Sequence, residues 1–145
     1  MKRSCTNYIK LEFPSRSANE ALARSAVAAL AAQLDPTLDE LGDIKTAVSE
    51  AVTNAIVHAY PEEVGTIWLR ACILGDDTLE LTVRDKGRGI PDVKQAMQPL
   101  YTTGGDERSG MGFTIMESFT DKLRVRSAPE RGTTVTMRRK LRKRR

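Results

Sequence analysis

The clearest pattern in the chain is a stripe of apolar residues that recurs every three or four positions. This spacing predicts a helix with one face packed on a core. Thr37 and Glu40 have the spacing of a capping box and mark the start of the helix, and Tyr60-Pro61 marks its end. The stripe comprises Leu41, Ile44, Val48, Val52, Ala55 and Ile56.

A second helix is predicted upstream, in an alanine-rich segment. Ser17 and Glu20 have the spacing of another capping box, and the apolar pattern continues to about Leu34. Asp35-Pro36 then breaks the helix, because proline cannot continue the backbone hydrogen-bond ladder.

Alternation of apolar and polar residues, together with one largely apolar run at Thr66–Leu74, predicts five strands. Residues 8–13 form a half-buried first strand that ends at Pro14. Two adjacent antiparallel strands follow the central helix, joined by a turn at Gly75, and a last hairpin turns near Gly132. The ranges of these four later strands are Thr66–Leu74, Thr78–Arg84, Arg124–Ser127 and Thr133–Arg138.

Two polar residues lie on one flank of the central helix. Glu50 and Asn54 are four positions apart, so their side chains lie one above the other. A carboxylate can accept a proton, and a carboxamide oxygen can bind a hard cation such as Mg²⁺. The pair alone is more typical of a solvated helix face, and His58, the single histidine, is more typical of packing than of catalysis.

Two glycine-rich segments follow the strands. Asp85, Gly87 and Gly89 stand directly after a strand, where an aspartate can accept a hydrogen bond from an exocyclic amino group or can simply shape a turn. Residues 109–113 run into an apolar helix, and free amides at the positive end of a helix favour an anion. Neither segment has the spacing of a Walker or dinucleotide-binding motif.

Residues 92–109, between these segments, have no periodicity. A loop of this length in a compact domain is typically functional or disordered. Gly104-Gly105 gives it hinge-like freedom, and we expect Thr102, Thr103 and Arg108 to meet phosphates when it closes.

Composition narrows the class of protein. The 145 residues suit one domain, no apolar run approaches membrane-spanning length, and no signal peptide is expected, which predicts a cytoplasmic protein. Two cysteines and one histidine exclude a disulfide framework and a zinc constellation, so we expect reduced thiols. Seven of the last eight residues are Lys or Arg, so the +4 net charge comes from the end of a mildly acidic chain. We therefore predict a domain at 1–137 and a disordered basic tail at 138–145, with non-specific phosphate binding as the alternative.

The order of the three motifs resembles the ATP-binding fold shared by gyrase, histidine kinases and MutL. Glu50-x-x-x-Asn54 on a helix, Asp85-x-Gly87-x-Gly89 after a strand, and Gly110-x-Gly112 before a helix carry the resemblance. It implies an α+β two-layer sandwich of the Bergerat (GHKL, histidine-kinase-like) type. The sheet would be mixed and mostly antiparallel, with helices on one face.

Two longer segments are similar to the sporulation anti-sigma factors, in particular to the anti-sigma F factors of endospore formers. They are residues 49–58 and 109–117. The resemblance implies ATP-dependent inhibition of a sigma factor of the F type and phosphorylation of an anti-anti-sigma factor on serine. It also implies a homodimer, for which Ile9, Leu11 and Phe13 offer an edge-pairing surface, and no direct specific nucleic-acid binding.

The same resemblance assigns roles to individual residues. Glu50 would take the proton of the attacking serine, Asn54 would bind Mg²⁺, and Asp85 would read the amino group of adenine. Gly87 and Gly89 would shape the adenine pocket, Thr133 would lie near adenine, and Arg24 would face protein partners. The residues expected at the ATP phosphates are Thr102, Thr103, Arg108, Ser109, Gly110, Met111, Gly112 and Phe113. Ala59 departs from the family, where glycine is frequent.

Several alternatives stay open. The chain also suits an anti-sigma serine kinase of the stress-response type, or a non-catalytic nucleotide-gated binding module. A histidine kinase fits poorly, because His58 lies inside the nucleotide helix and no separate phosphoacceptor helix is predicted. A gyrase- or MutL-like ATPase would need a following transducer domain.

Overall fold

The computed structural model describes residues 4–90 and 112–141, which form one five-stranded sheet with helices on one face. The strand order is β1-β2-β3-β5-β4, and every pairing within the described ranges is antiparallel, where the resemblance implied a mixed, mostly antiparallel sheet. The strands are β1 (Cys5–Pro14), β2 (Thr66–Leu74), β3 (Thr78–Asp85), β4 (Lys122–Ala128) and β5 (Gly132–Lys140). The helices are α1 (Ala18–Ala31), α2 (Leu38–Asn54) and α3 (Gly112–Ser118), with a 3₁₀ turn at Ala32–Leu34 and a π-helical turn at Ala55–Ala59. In the part of the chain described, no helix has the length and apolarity needed to span a bilayer.

The central helix α2 agrees with its prediction. The Thr37 amide donates to Glu40 Oε1 at 2.9 Å, and the Glu40 amide donates to Thr37 Oγ1 at 3.0 Å, which completes the capping box. The stripe faces the sheet: Val48 and Val52 are fully buried, and Leu41 and Ile56 pack at its margins. Burial of this stripe holds α2 against the inner face of the sheet.

The capping box predicted for α1 is wrong. Ser17 has helical backbone angles and its side chain caps nothing. Glu20 does not reach back to Ser17, because its carboxylate accepts the hydroxyl of Ser49 on α2 at 3.0 Å and pairs with Arg24 at 3.3 Å. The end of the helix is as predicted: α1 passes into the 3₁₀ turn, and Asp35 adopts a left-handed conformation with φ of 50°.

The predicted start of a disordered tail at residue 138 is wrong as well. Strand β5 continues through Lys140, and Leu141 is buried. Arg138 Nε donates to Glu80 Oε2 at 2.7 Å, and Arg139 pairs with Asp43 at 3.1 Å. Paired charges therefore extend the last strand beyond its apolar alternation, and residues 142–145 lie outside the described residues.

Strand β1 forms one edge of the sheet, but its apolar side chains do not offer a surface for a partner. Phe13 is buried, and Ile9 and Leu11 pack against the core. The prediction that these three side chains form an edge-pairing surface is therefore wrong. Any pairing at this edge would use the backbone of β1.

The cysteines also differ from the prediction of reduced thiols. Cys5 and Cys72 form a disulfide, with their Cα atoms 6.0 Å apart. The antiparallel register of β1 and β2 brings the two residues together although 67 positions separate them. Sequence separation gave no indication of this pairing.

Candidate nucleotide-binding site

A buried carboxylate ends β3. Asp85 is 6% exposed, and its Oδ1 accepts the backbone amides of Gly87 at 2.9 Å and Thr133 at 3.2 Å. Burial raises the pKa of Asp85, and the two amide hydrogen bonds oppose this rise. No described residue donates to Oδ2. One oxygen thus fixes the carboxylate, and the other remains as an acceptor for a donor such as an exocyclic amino group.

The loop after Asp85 needs glycine at two positions for different reasons. A Cβ at Gly87 would overlap the carbonyl oxygen of Ala59, so the loop can press against the π-helical turn only without a side chain. Gly89 has φ of +76°, and a Cβ there would overlap the carbonyl of Ala128 at the end of β4. Ala59 departs from the family pattern. Its methyl group fits here because Gly87 has no side chain.

Backbone hydrogen bonds hold this loop from both sides. The Arg88 amide donates to the Ala59 carbonyl at 3.1 Å, and the Arg88 carbonyl accepts the Glu130 amide at 2.6 Å. The Ile90 amide donates to Ser127 Oγ at 2.7 Å. The loop is therefore clamped between the end of the central helix and the β4–β5 hairpin.

Thr133, the residue that the resemblance places near adenine, lies beside Asp85. It is buried on β5, directly opposite Asp85 in the register, and its amide contacts the carboxylate. Its hydroxyl shares a 2.8 Å hydrogen bond with Ser127 Oγ, which also donates to the Gly132 carbonyl at 3.1 Å. Ser127 was not predicted as a site residue, and it joins the loop, the hairpin and Thr133.

Tyr60 is a second site residue that has no local signal of this role, since Tyr60-Pro61 indicates only the end of a helix. Its hydroxyl donates to the Thr66 carbonyl at 2.8 Å and accepts the Lys86 amide at 2.7 Å. Burial is the main cause that raises the pKa of Tyr60. One phenol therefore connects the end of the helix to the start of β2 and to the loop after Asp85.

Glu50 and Asn54 lie on the last two turns of α2, and both are half-buried. The helix widens into the π-helical turn directly after Asn54, a feature that is frequent at functional sites. The Asn54 side chain makes no hydrogen bond with a described residue. Its carboxamide oxygen fits Mg²⁺, which proteins typically hold through one or two side-chain oxygens together with phosphate and water.

The predicted phosphate half of the site falls mostly outside the described residues. Thr102, Thr103, Arg108, Ser109, Gly110 and Met111 all lie there. Helix α3 begins at Gly112, and Phe113 is buried in the core, so only its backbone amide can serve an anion. The contacts proposed for these residues remain predictions.

Arg24, the residue predicted to meet protein partners, lies on α1 with its side chain 40% exposed. It pairs with Glu20, whose carboxylate accepts the hydroxyl of Ser49. Ser49 directly precedes Glu50. The predicted partner surface is therefore connected through two polar contacts to the helix that carries the candidate base.

The matching family model defines the class of protein. Residues 13–139 match the histidine kinase-like ATPase domain. The fold also resembles the RsbU and RsbW domains of a Mycobacterium tuberculosis protein, with a TM-score of 0.70 at 22% identity, over 94% of this chain and 33% of that one. The histidine kinase domain of a blue-light activated kinase from Erythrobacter litoralis has a TM-score of 0.58 at 23% identity, over 89% of this chain and 62% of that one. These likenesses establish the fold.

Curated relatives define the family more narrowly. The anti-sigma F factor of Caldanaerobacter subterraneus is 57% identical over 132 residues, covering 90% of this chain and 92% of that protein. The anti-sigma F factor of Pasteuria penetrans is 57% identical over 143 residues, covering 97% of this chain and 93% of that protein. This chain belongs to the anti-sigma F factor family.

Proposed function

We propose that this protein binds and inhibits a sigma factor of the F type in an ATP-dependent manner and phosphorylates an anti-anti-sigma factor on serine. The relatives' names support the first activity, and the histidine kinase-like fold supports nucleotide chemistry. The observation that carries the proposal is the buried Asp85 carboxylate, held through Oδ1 and unbonded at Oδ2 among the described residues.

The nucleotide half of this proposal assigns each group one task. Asp85 Oδ2 accepts the amino group of adenine, while Thr133 and the clamped loop shape the pocket around it. Asn54 holds Mg²⁺, which supplies charge neutralisation at the phosphates. In phosphoryl transfer, positioning and charge stabilisation provide most of the catalysis, so few protein groups are needed.

Glu50 is assigned the proton transfer. Its carboxylate lies one helical turn before Asn54, so a base and a cation ligand face the same region. A partner serine that approaches this region loses its hydroxyl proton to Glu50 as its oxygen attacks the terminal phosphate of ATP. The products are ADP and a phosphoserine on the partner.

The partner half of the proposal uses α1 and the free edge of the sheet. Arg24 lies on the exposed side of α1 and contacts sigma or anti-anti-sigma factor. We infer a homodimer through the backbone of the edge strand β1, and a cytoplasmic location, because sigma factors act there on transcription. A protein kinase of this type needs no specific contact with DNA.

The ATP dependence of sigma binding is tested with the immobilised full chain and purified sigma factor. We expect capture with Mg-ATP and at least about tenfold less without nucleotide.

Asn54→Ala should lose the gain in ATP affinity that Mg²⁺ gives the wild type, because the cation ligand is missing. Equal capture with and without nucleotide would contradict the ATP dependence and leave sigma binding intact. Mg²⁺-dependent affinity that persists in Asn54→Ala would contradict the metal assignment.

A further inference from the structure

The face of the sheet opposite the helices is strongly basic. Side chains alternate across each strand, so one residue in two points away from the helical layer. We call this surface the open face. Its cations are Lys10, Arg70, Arg84, Lys122, Arg124, Arg126, Arg138 and Lys140, and its carboxylates are Glu12 and Glu80.

Both carboxylates of the open face are already engaged. Glu80 binds Arg138 at 2.7 Å and lies 3.9 Å from Arg70. The Glu12 carboxylate accepts a hydrogen bond from the indole N–H of Trp68 at 2.9 Å. Internal pairing therefore leaves much of the positive charge of this face uncompensated.

The uncompensated charge is concentrated on β4. Lys122, Arg124 and Arg126 are exposed, and none of them has an ion-pair or ring partner among residues 4–90 and 112–141. Alternate residues of a strand are about 6.8 Å apart, so the three cations form a straight, evenly spaced line, which we call the β4 stripe.

Hydroxyl groups lie beside two of these cations. Thr136 is opposite Arg124 and Thr134 is opposite Arg126 on the neighbouring strand, while Arg138 is opposite Lys122. Lysine, arginine and threonine side chains are among the groups that contact nucleic-acid phosphates. A straight line of unpaired cations beside hydroxyl donors also suits a polymer that carries one negative charge in every repeat.

We propose that the β4 stripe, with Thr134 and Thr136, binds the sugar-phosphate backbone of a nucleic acid without sequence preference. The regular spacing favours this occupant over an acidic protein, whose charges follow no fixed repeat. Strand β4 forms the sheet edge opposite β1, and the stripe faces away from the helical layer that carries Arg24. Nucleic acid on the stripe therefore leaves the proposed dimer edge and the partner helix free.

The test uses the full chain and a fluorescent single-stranded DNA of mixed sequence, followed by anisotropy over a range of salt concentrations. For a single strand, the logarithm of the binding constant falls by about 0.7 for each phosphate contact when the salt concentration rises tenfold. We expect the double variant Arg124→Gln/Arg126→Gln to lose at least about tenfold in affinity at low salt and to reduce the salt slope by about 1.4.

The matched control removes two exposed cations from elsewhere. Arg16→Gln/Lys45→Gln changes the net charge equally but lies on the β1–α1 connection and on α2. It should keep the affinity and salt slope of the wild type. Equal losses in both double variants would overturn the proposal, because net charge alone would then explain binding.

Two further measurements separate the other sources of binding. A chain that ends at Leu141 removes Arg142, Lys143, Arg144 and Arg145. If this shortened chain loses DNA binding while Arg124→Gln/Arg126→Gln keeps it, binding belongs to the tail and the proposal is overturned. A polyglutamate probe that binds the wild type as tightly as DNA would equally overturn it in favour of an acidic protein.

Discussion

At the scale of single residues, the buried carboxylate of Asp85 lowers stability, and its proposed use is the recognition of adenine. A buried carboxylate is desolvated, and two backbone amides offset only part of that cost. An apolar residue would remove the cost but could not accept a hydrogen bond from adenine. We therefore propose that ligand binding, and not stability, accounts for a carboxylate at this position.

Asp85→Asn should weaken ATP binding and spare the fold. The amide keeps an acceptor for the Gly87 and Thr133 amides, but it no longer presents a carboxylate to the adenine amino group. Loss of a hydrogen bond to a charged group costs about 1.5–3 kcal/mol, so ATP affinity should fall roughly 10- to 100-fold in calorimetric titration. Unchanged ATP affinity would contradict the assignment.

The stability of Asp85→Asn relative to the wild type should depend on pH. Because the folded state raises the pKa of Asp85 above its usual 3.8, protonation favours folding, and this contribution is lost as pH rises through the folded pKa. The variant lacks the carboxyl, so its melting temperature relative to the wild type should be higher at pH 7 than at pH 4. Thermal unfolding at both pH values measures this difference, and the opposite trend would contradict it.

The candidate residues for the adenine pocket could be selected from the sequence because three of them are close together in the chain. Asp85, Gly87 and Gly89 form one turn whose side-chain and backbone requirements are readable from residue type. Thr133 is 48 positions from Asp85 and was placed by resemblance. Ser127 acts only through contacts with other segments, which residue type does not reveal.

At the scale of elements, the site depends on how the central helix ends. α2 passes into a π-helical turn, Ala59 contacts Gly87, and Tyr60 binds the loop after Asp85. The helix that carries Glu50 and Asn54 is thereby fixed to the loop that follows Asp85. Tyr60 is a positioning residue, because it acts on the site through the Lys86 amide.

Tyr60→Phe should affect both stability and nucleotide binding. Removing the hydroxyl leaves the Lys86 amide and the Thr66 carbonyl without this partner, which costs about 1–3 kcal/mol in the free energy of unfolding. ATP affinity should fall as the loop loosens, whereas Tyr8→Phe, at a 55% exposed tyrosine, should change neither quantity. Urea unfolding and ATP titration give the two values. Lower stability with wild-type ATP affinity would show that Tyr60 is only structural.

The helices and strands could be predicted where apolar periodicity reflects burial. The prediction failed where a contact with a distant segment determines how an element is capped or where it ends. The strands and α2 follow from apolar spacing, although β1 begins at Cys5 instead of Tyr8 and α2 passes into a π-helical turn before Tyr60. The α1 cap failed because Ser49, on another helix, takes the Glu20 carboxylate. The last strand was extended by ion pairs to Glu80 and Asp43, which no local pattern contains.

At the scale of the whole molecule, the two edges and two faces of the sheet have different chemistry. β1 is one edge and β4 is the other, the helical face carries the candidate site, and the open face carries the basic stripe. The position of β5 between β3 and β4 could not be obtained from the sequence, because strand order depends on packing between distant segments. The Cys5–Cys72 pairing was missed for the same reason.

The edge strand β1 predicts the state of assembly. We expect sedimentation at about twice the 16.0 kDa of the chain, with pairing through the β1 backbone. Tyr8→Lys places a charge at this edge beside Lys10 and Arg70 and should shift the protein to monomer. Leu38→Lys, at an 86% exposed site at the start of α2, is the control. A monomeric wild type at micromolar concentration would remove the dimer from the account.

The most direct test of the proposed kinase is transfer of labelled phosphate from Mg-ATP to a purified anti-anti-sigma factor. Wild type and Glu50→Gln are compared, with ATP affinity measured for both. A general base contributes about 10²- to 10⁴-fold to rate, so transfer to serine should fall at least about 100-fold in the variant while ATP affinity stays within about threefold. Undiminished transfer in Glu50→Gln, or no transfer by a wild type that binds ATP, would contradict the account.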